Sequence, residues 1–148
     1  MKKIQVAFYK ANGPFARWDD KVIAWWTNGP YSHVELVIDG YHYGIHPSEG
    51  RVRKIKRPYS PDVWDYFVIE IPEVDKIIDF FKYTHNMSYN WNSFIAFVFP
   101  VRPRNRSFTC SEWVASALIL GGLKAFYGYK PCRFSPNDLF RFLKEYYF

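Results

Sequence analysis

The sequence predicts an α+β domain in which an antiparallel sheet packs against helices, and three patterns in the 148 residues indicate this class. Residues 32–39 alternate apolar and polar side chains, which is typical of a strand, and the Asp39 and Gly40 pair favours a tight hairpin turn. Residues 73–83 repeat their apolar side chains at helical spacing instead. Residues 109–120 are apolar on nearly all sides, which predicts a second, buried helix.

The same two periods, and the turn residues that interrupt them, predict the remaining elements. The predicted strands are 4–9, 32–39, 41–46, 51–56 and 66–71. The predicted helices are 19–26, 73–83, 109–120 and a last one opened by Ser135 and Pro136, while 92–99 is apolar and of undetermined type. No repeat, low-complexity segment or linker divides the chain, so we expect residues 1–148 to form a single domain.

The composition is that of a basic domain with a large aromatic core. Hydrophobic residues make up 49% of the chain and aromatic residues 22%, so some aromatic surface is expected to stay exposed. The net charge of +6 (20 basic minus 14 acidic residues) favours acidic partners, such as phosphate groups, nucleic acid or anionic lipid, over basic ones. The chain has no apolar window of about 18 residues, and we therefore expect no transmembrane helix.

The cysteines and the start of the chain set the expected compartment. Cys110 and Cys132 are too few to form a disulfide framework, and the chain start lacks the apolar region and cleavage site of a signal peptide. We therefore expect a reducing, cytoplasmic location. A phage-encoded enzyme made in that compartment would still reach the cell wall after lysis.

Cys110 is the candidate nucleophile because of its expected place at the start of a helix. Thr109 and Glu112 fit a capping box, in which Thr109 is the N-cap and Glu112 reaches back from the third helical position. The free amides and the dipole of a helix start favour a thiolate, and they can hold a developing oxyanion. A purely structural cysteine is the alternative for Cys110, and it is the interpretation that we adopt for Cys132.

The predicted hairpin selects a base for this thiol. A two-residue loop places His33 directly opposite His46, and Glu35 opposite Gly44. One strand face therefore carries all four of these residues together with His42. His33 is the best candidate base, and its orienting partner is either His46 across the ladder or Glu35 two residues along.

Two other interpretations of this polar strand face stay open at the level of sequence. The face could be solvated and without chemistry. It could also bind a metal, since three histidines and a glutamate share it, but no HExxH motif or paired-cysteine spacing supports that reading. We predict neither a metal nor another cofactor. His85, the fourth histidine, is expected to cap the end of helix 73–83.

Taken together, these residues resemble the circularly permuted branch of the NlpC/P60 papain-like superfamily. That branch includes the YiiX/YebB-like proteins and, more distantly, the lecithin:retinol acyltransferase group, and its histidine strand precedes its cysteine helix. The matching pieces are TNGPYSHVELVIDG at 27–40, MSYNW at 87–91, FTCSEWVASAL at 108–118 and SPNDLF at 135–140. The resemblance implies a papain-like core, in which a nucleophile-bearing helix packs against an antiparallel sheet that carries the base.

The resemblance also implies a role for each matching residue. Cys110 matches the nucleophile and His33 the general base, while His46 falls where the family places its third polar residue. Some relatives carry a carboxylate or another polar group there, so the third role stays open between His46 and Glu35. Tyr89 resembles the tyrosine that assists the oxyanion in related enzymes. The arginine-rich stretch between Tyr89 and Cys110 has no clear counterpart in the family.

The sequence therefore predicts a cysteine hydrolase, an amidase or endopeptidase, that forms a thioester from an amide or ester bond. Its expected substrate is a peptide, amide or acyl small molecule, with peptidoglycan peptides as one candidate class. One alternative is an acyltransferase or thioesterase on lipid acyl groups. The other is a non-catalytic module whose basic stretches 51–57 and 102–106 hold nucleic acid or an anionic surface. No RNA-binding or zinc motif supports nucleic acid as a partner, and the sequence sets no oligomeric state.

Overall fold

The structure is a computed structural model that describes residues 1–14, 18, 29–46, 49–87, 109–131 and 134–147. Within these residues the chain forms five strands and three α-helices, which confirms the predicted α+β class. The strands are β1 (Lys2–Lys10), β2 (Tyr31–Ile38), β3 (Tyr41–Ile45), β4 (Val52–Lys56) and β5 (Trp64–Ile71). The helices are α1 (Val74–Thr84), α2 (Cys110–Leu120) and α3 (Pro136–Tyr147), with a 3₁₀ turn at Lys124–Phe126. The predictions for 19–26 and 92–99 lie outside the described residues.

The five strands form one antiparallel sheet in the order β4-β3-β2-β1-β5. The β2–β3 hairpin has the predicted two-residue loop, because Ile38 pairs directly with Tyr41. Asp39 and Gly40 both have a positive φ, 52° and 82°, as in the turns whose twist matches that of a hairpin. The register along β2 and β3 is therefore the predicted one.

The helices pack on one face of this sheet. Val34 and Leu36 of β2 are fully buried on that face, and both α2 and α3 contact β2. Leu139 and Leu143 of α3 are fully buried, as their helical spacing predicts for a side that faces the core. None of the described helices combines the length and the apolar character needed to cross a membrane.

The opposite face of β2 carries polar side chains, and it is buried as well. His33 is 2% exposed, Glu35 0% and His42, on β3, 1%. The indole of Trp64 lies beside both histidines, with its ring centroid 6.1 Å from that of His33 and 5.0 Å from that of His42. The interpretation of this face as a solvated strand surface is therefore wrong for these residues.

Candidate active site

Helix α2 begins at Cys110 with the predicted capping box. The Thr109 side chain accepts a hydrogen bond from the Glu112 backbone N–H at 3.2 Å, and the Glu112 carboxyl accepts one from the Thr109 backbone. The first full helical bond runs from the Trp113 N–H to the Thr109 carbonyl at 3.0 Å. Cys110 is thus the first residue of a helix, where backbone N–H groups have no intrahelical acceptor, and it is buried.

Two buried side chains fix the position of this helix start. Ser111 donates a hydrogen bond from its hydroxyl to the Phe134 carbonyl, in the segment just before α3. Trp113 donates from its indole N–H to the Thr84 hydroxyl at 2.9 Å, at the end of α1. Because each bond joins α2 to a different element, the direction in which Cys110 points is set by tertiary packing as well as by the helix itself.

The start of β2 is held from the other side by Asn137 of α3. The Asn137 amide accepts from the Tyr31 backbone N–H at 2.9 Å and donates to the Tyr31 carbonyl at 2.8 Å. The Tyr31 hydroxyl in turn donates to Asp65 at 2.6 Å on β5. These three bonds fix the backbone two residues before His33, so the SPNDLF motif has a structural role in placing that histidine.

The structure brings His33 against Cys110, although the two are far apart in the sequence. Burial alone would lower the pKa of His33, but the Cys110 sulfur and then the Glu35 carboxylate reverse this and raise it to about 9. His33 Nε2 lies 3.4 Å from Glu35 Oε2, a distance typical of a loose ion pair. Neither ring nitrogen makes a hydrogen bond of normal length and angle to the described residues. Loose geometry of this kind is common at catalytic groups before substrate binds.

Glu35 is a fully buried carboxylate surrounded by cationic and histidine side chains. Its Oε2 faces His33 and accepts a hydrogen bond from Arg53, while its Oε1 is 3.2 Å from His42 Nδ1 and 4.0 Å from Arg57 Nε. Burial would raise the pKa of Glu35, but the close approach of His33 and His42 and the charges of His33 and Arg53 hold it well below its usual range. We call these five residues the Glu35 cluster.

Arg53 reaches Glu35 across Gly44. Arg53 on β4 pairs directly with Gly44 on β3. A Cβ atom at position 44 would lie 3.5 Å from Glu35 Oε2. Arg53 also binds Glu49 through two nitrogens, its Nε and its Nη2, the latter at 3.3 Å. The burial of the guanidinium is therefore compensated by two carboxylates, and the pKa of Arg53 is raised by them despite its burial.

His46 lies beside His33 as the hairpin register predicts. The two ring centroids are 4.6 Å apart and the ring planes meet at 73°. Burial and then the positive charge of His33 lower the pKa of His46 to about 4. His46 is therefore a neutral imidazole at neutral pH, next to a charged one.

Four of the five predicted site residues, Cys110, His33, Glu35 and His46, are close together in the structure. Tyr89, the fifth, lies outside the described residues, as does Cys132. Sequence reasoning did not find Arg53, although the alternation of β4 places it on the face of Glu35. The described side chains contain no group of three or more histidine, cysteine, aspartate or glutamate residues arranged to hold a metal ion.

No protein-family model, curated protein or solved structure matches the chain. The resemblance to the permuted NlpC/P60 branch therefore stays a prediction. The α+β class and the site geometry rest on the described strands, helices and side-chain distances alone.

Proposed function

We propose that the chain is a cysteine hydrolase, an amidase or endopeptidase of the permuted NlpC/P60 papain-like kind. One observation carries the proposal. A cysteine at the start of a buried helix lies against a buried histidine, whose Nε2 is 3.4 Å from a buried carboxylate. A thiol is activated when it lies against a base that a third group orients, and Cys110, His33 and Glu35 have this order of contacts.

The acylation step uses this geometry directly. Because His33 Nε2 faces Glu35, Nδ1 is the nitrogen left to exchange a proton with Cys110. The thiolate attacks the substrate carbonyl and forms a C–S bond, and the carbonyl electrons move onto the oxygen. The Cys110 backbone N–H at the helix start donates to this oxyanion. When the C–N or C–O bond breaks, the imidazolium of His33 gives its proton to the leaving group.

The second step releases the acyl group. Neutral His33 now takes a proton from water, and the resulting hydroxide adds to the thioester carbonyl. The C–S bond breaks, and the thiolate and the imidazolium are restored while a carboxylic acid leaves. An alcohol or amine in place of water would make the same chemistry a transfer reaction.

Glu35 is the better of the two candidate partners for His33. It stays ionised because of its neighbours, and its Oε2 faces a ring nitrogen of His33. His46 meets the His33 ring at a steep angle and is neutral, so it adds no charge that would stabilise an imidazolium. We therefore assign the third role to Glu35 and keep His46 as a neighbour that packs against the base.

The geometry also weakens the rival interpretation as a basic binding module. Arg53, in the centre of the basic stretch 51–57, is 8% exposed and is neutralised by Glu35 and Glu49. Arg57 directs its Nε toward Glu35 as well. Charges that are compensated inside the fold release no counterions from a nucleic acid, so this stretch offers less to such a partner than its sequence suggests.

The test is the capture of an acyl-enzyme on Cys110. With p-nitrophenyl acetate as the acyl donor, we expect mass spectrometry to find acetyl on the peptide that contains Cys110, and Cys110→Ala to abolish both this adduct and turnover. Cys132→Ala is the matched control and should retain both. Full turnover by a folded Cys110→Ala variant would contradict the proposed function.

A further inference from the structure

We propose that Arg53 is a positioning residue for catalysis, which acts by holding the Glu35 carboxylate against His33 through the gap at Gly44. This inference rests on the proposed function. It adds a residue that touches neither the thiol nor the base and that the sequence motifs do not include.

The first argument is the order of charges that leads from the surface to the sulfur. Glu49, Arg53, Glu35, His33 and Cys110 follow one another in contact, and the first four carry alternating sign when His33 is protonated. A Cys110 thiolate would continue the alternation. Each buried charge is then compensated on both sides, which is the condition under which burial of such groups is tolerated.

The second argument is that the two oxygens of Glu35 are held in the same way. Each oxygen faces one histidine and one arginine: Oε2 faces His33 and Arg53, and Oε1 faces His42 and Arg57. Arg53 is the arginine that donates a hydrogen bond to Glu35, and it does so to Oε2, the oxygen that also faces His33. Removal of Arg53 therefore frees the carboxylate to rotate away from the base, and it also removes a competing positive charge next to the His33 imidazolium.

The third argument is the missing side chain at position 44. A Cβ atom there would be in van der Waals contact with the Glu35 side chain, 3.4 Å from Cγ and 3.5 Å from Oε2. Because Arg53 is paired with Gly44, glycine keeps further side-chain atoms out of the region where the guanidinium meets the carboxylate.

Arg53→Met and Arg53→Lys separate the charge of the guanidinium from its orientation. With p-nitrophenyl acetate we expect both variants to lose about 10-fold or more in kcat, as for other residues that orient a ligand or base, with KM changed less than about twofold. Lys54→Met is the matched control, because Lys54 is exposed on the same strand with its ammonium over Tyr41, and it should behave like the native chain.

The pH profile of Cys110 alkylation by iodoacetamide is the readout that a merely structural role would not move. In the native chain we expect a step at the loss of the His33 proton. Arg53→Lys keeps the positive charge but not the fork that orients Glu35, so the imidazolium of His33 loses its partner and the step should move to lower pH by about one unit. Arg53→Met also removes a positive charge, which shifts the step the other way, so that variant is judged by kcat. Cys132, read on its own peptide, is the internal comparison.

The outcomes distinguish this inference from the proposed function. Native kcat in Arg53→Met would overturn the role of Arg53. If Arg53→Met does not fold, Arg53→Lys decides, since native kcat with an unmoved step in that variant overturns the proposal and a reduced kcat with the step at lower pH supports it. Turnover that survives Cys110→Ala would instead refute the proposed function, whatever the Arg53 variants do.

Discussion

The two faces of β2 are both buried, but they are buried by opposite means. On the helix side, Val34 and Leu36 are covered by apolar side chains of α2 and α3. On the other side, His33 and Glu35 are covered as completely, and their polar atoms face other polar or charged groups. The apolar face needs only matching shape, whereas the polar face is stable only while every charge keeps its partner. Stability and chemistry are thus separated between two sides of one strand, and substitutions on each side should have different signatures.

Glu35→Gln should have the largest effect. It leaves Arg53 and His33 buried without their carboxylate, so we expect a loss of about 3–5 kcal/mol in the free energy of unfolding, together with loss of acyl transfer to Cys110. Urea unfolding measures the first and turnover the second. Glu70→Gln, an exposed change on β5, is the control.

A double-mutant cycle sharpens this prediction. If part of the cost of Glu35→Gln comes from the guanidinium that loses one of its two carboxylates, then the double variant with Arg53→Met should be more stable than the sum of the two single changes implies. Additive losses would show that the two side chains do not stabilise each other, and the description of the Glu35 cluster would be wrong.

Leu36→Ala tests the apolar face of the same strand. The lost contacts and the cavity should lower the free energy of unfolding by about 2–5 kcal/mol. Since Leu36 points away from the Glu35 cluster, the pH profile of Cys110 alkylation in the folded variant should keep the position of the step that belongs to His33. A shift of that step as large as the shift in Arg53→Lys would contradict the separation between the two faces.

Glu112→Gln should change the free energy of unfolding least, and it should raise this free energy rather than lower it. Burial raises the pKa of Glu112 to about 7, against the hydrogen bond from the Thr109 backbone, and its Oε2 has no hydrogen-bond partner among the described residues. The folded chain therefore holds this proton more tightly than the unfolded chain, and stability falls as the pH rises from the ordinary pKa of a glutamate to about 7.

Thermal unfolding at about pH 5 and about pH 8 measures this difference. Glutamine can still accept the Thr109 bond and does not ionise, so we expect a gain of about 1 kcal/mol at the higher pH, after allowance for solvent screening, and almost none at the lower. Glu145→Gln, at an exposed position of α3, should show no such pH dependence. An equal gain at both pH values would refute the assignment of a buried, uncharged Glu112.

The predictable parts of the site are those that local rules define. The two-residue loop at Asp39 and Gly40 sets a register, and this register alone places His33 beside His46. The capping box likewise places Cys110 at a helix start from three neighbouring residues. In both cases the geometry is determined within a few residues of the chain.

The parts that could not be predicted depend on contacts between distant segments. Strand β3 ends at Ile45 and β4 begins at Val52, too far apart along the chain for a two-residue hairpin rule to set the register that pairs Arg53 with Gly44. Strand β5 begins two residues before the predicted start because Trp64 and Asp65 continue the pairing with β1. Trp64 lies beside His33 on the polar face, and alternation within β2 cannot reveal this neighbour.

The most direct test of the account is an NMR titration of the His33 imidazole in the native chain and in Cys110→Ala. Because Cys110 is the largest of the influences that raise the pKa of His33, we expect a native midpoint near pH 9 that falls by more than about one unit in the variant. In the variant, burial still lowers the pKa of His33 and Glu35 still raises it. A native midpoint at the ordinary value of histidine, unchanged when the sulfur is removed, would contradict the contact between Cys110 and His33 and with it the proposed enzyme.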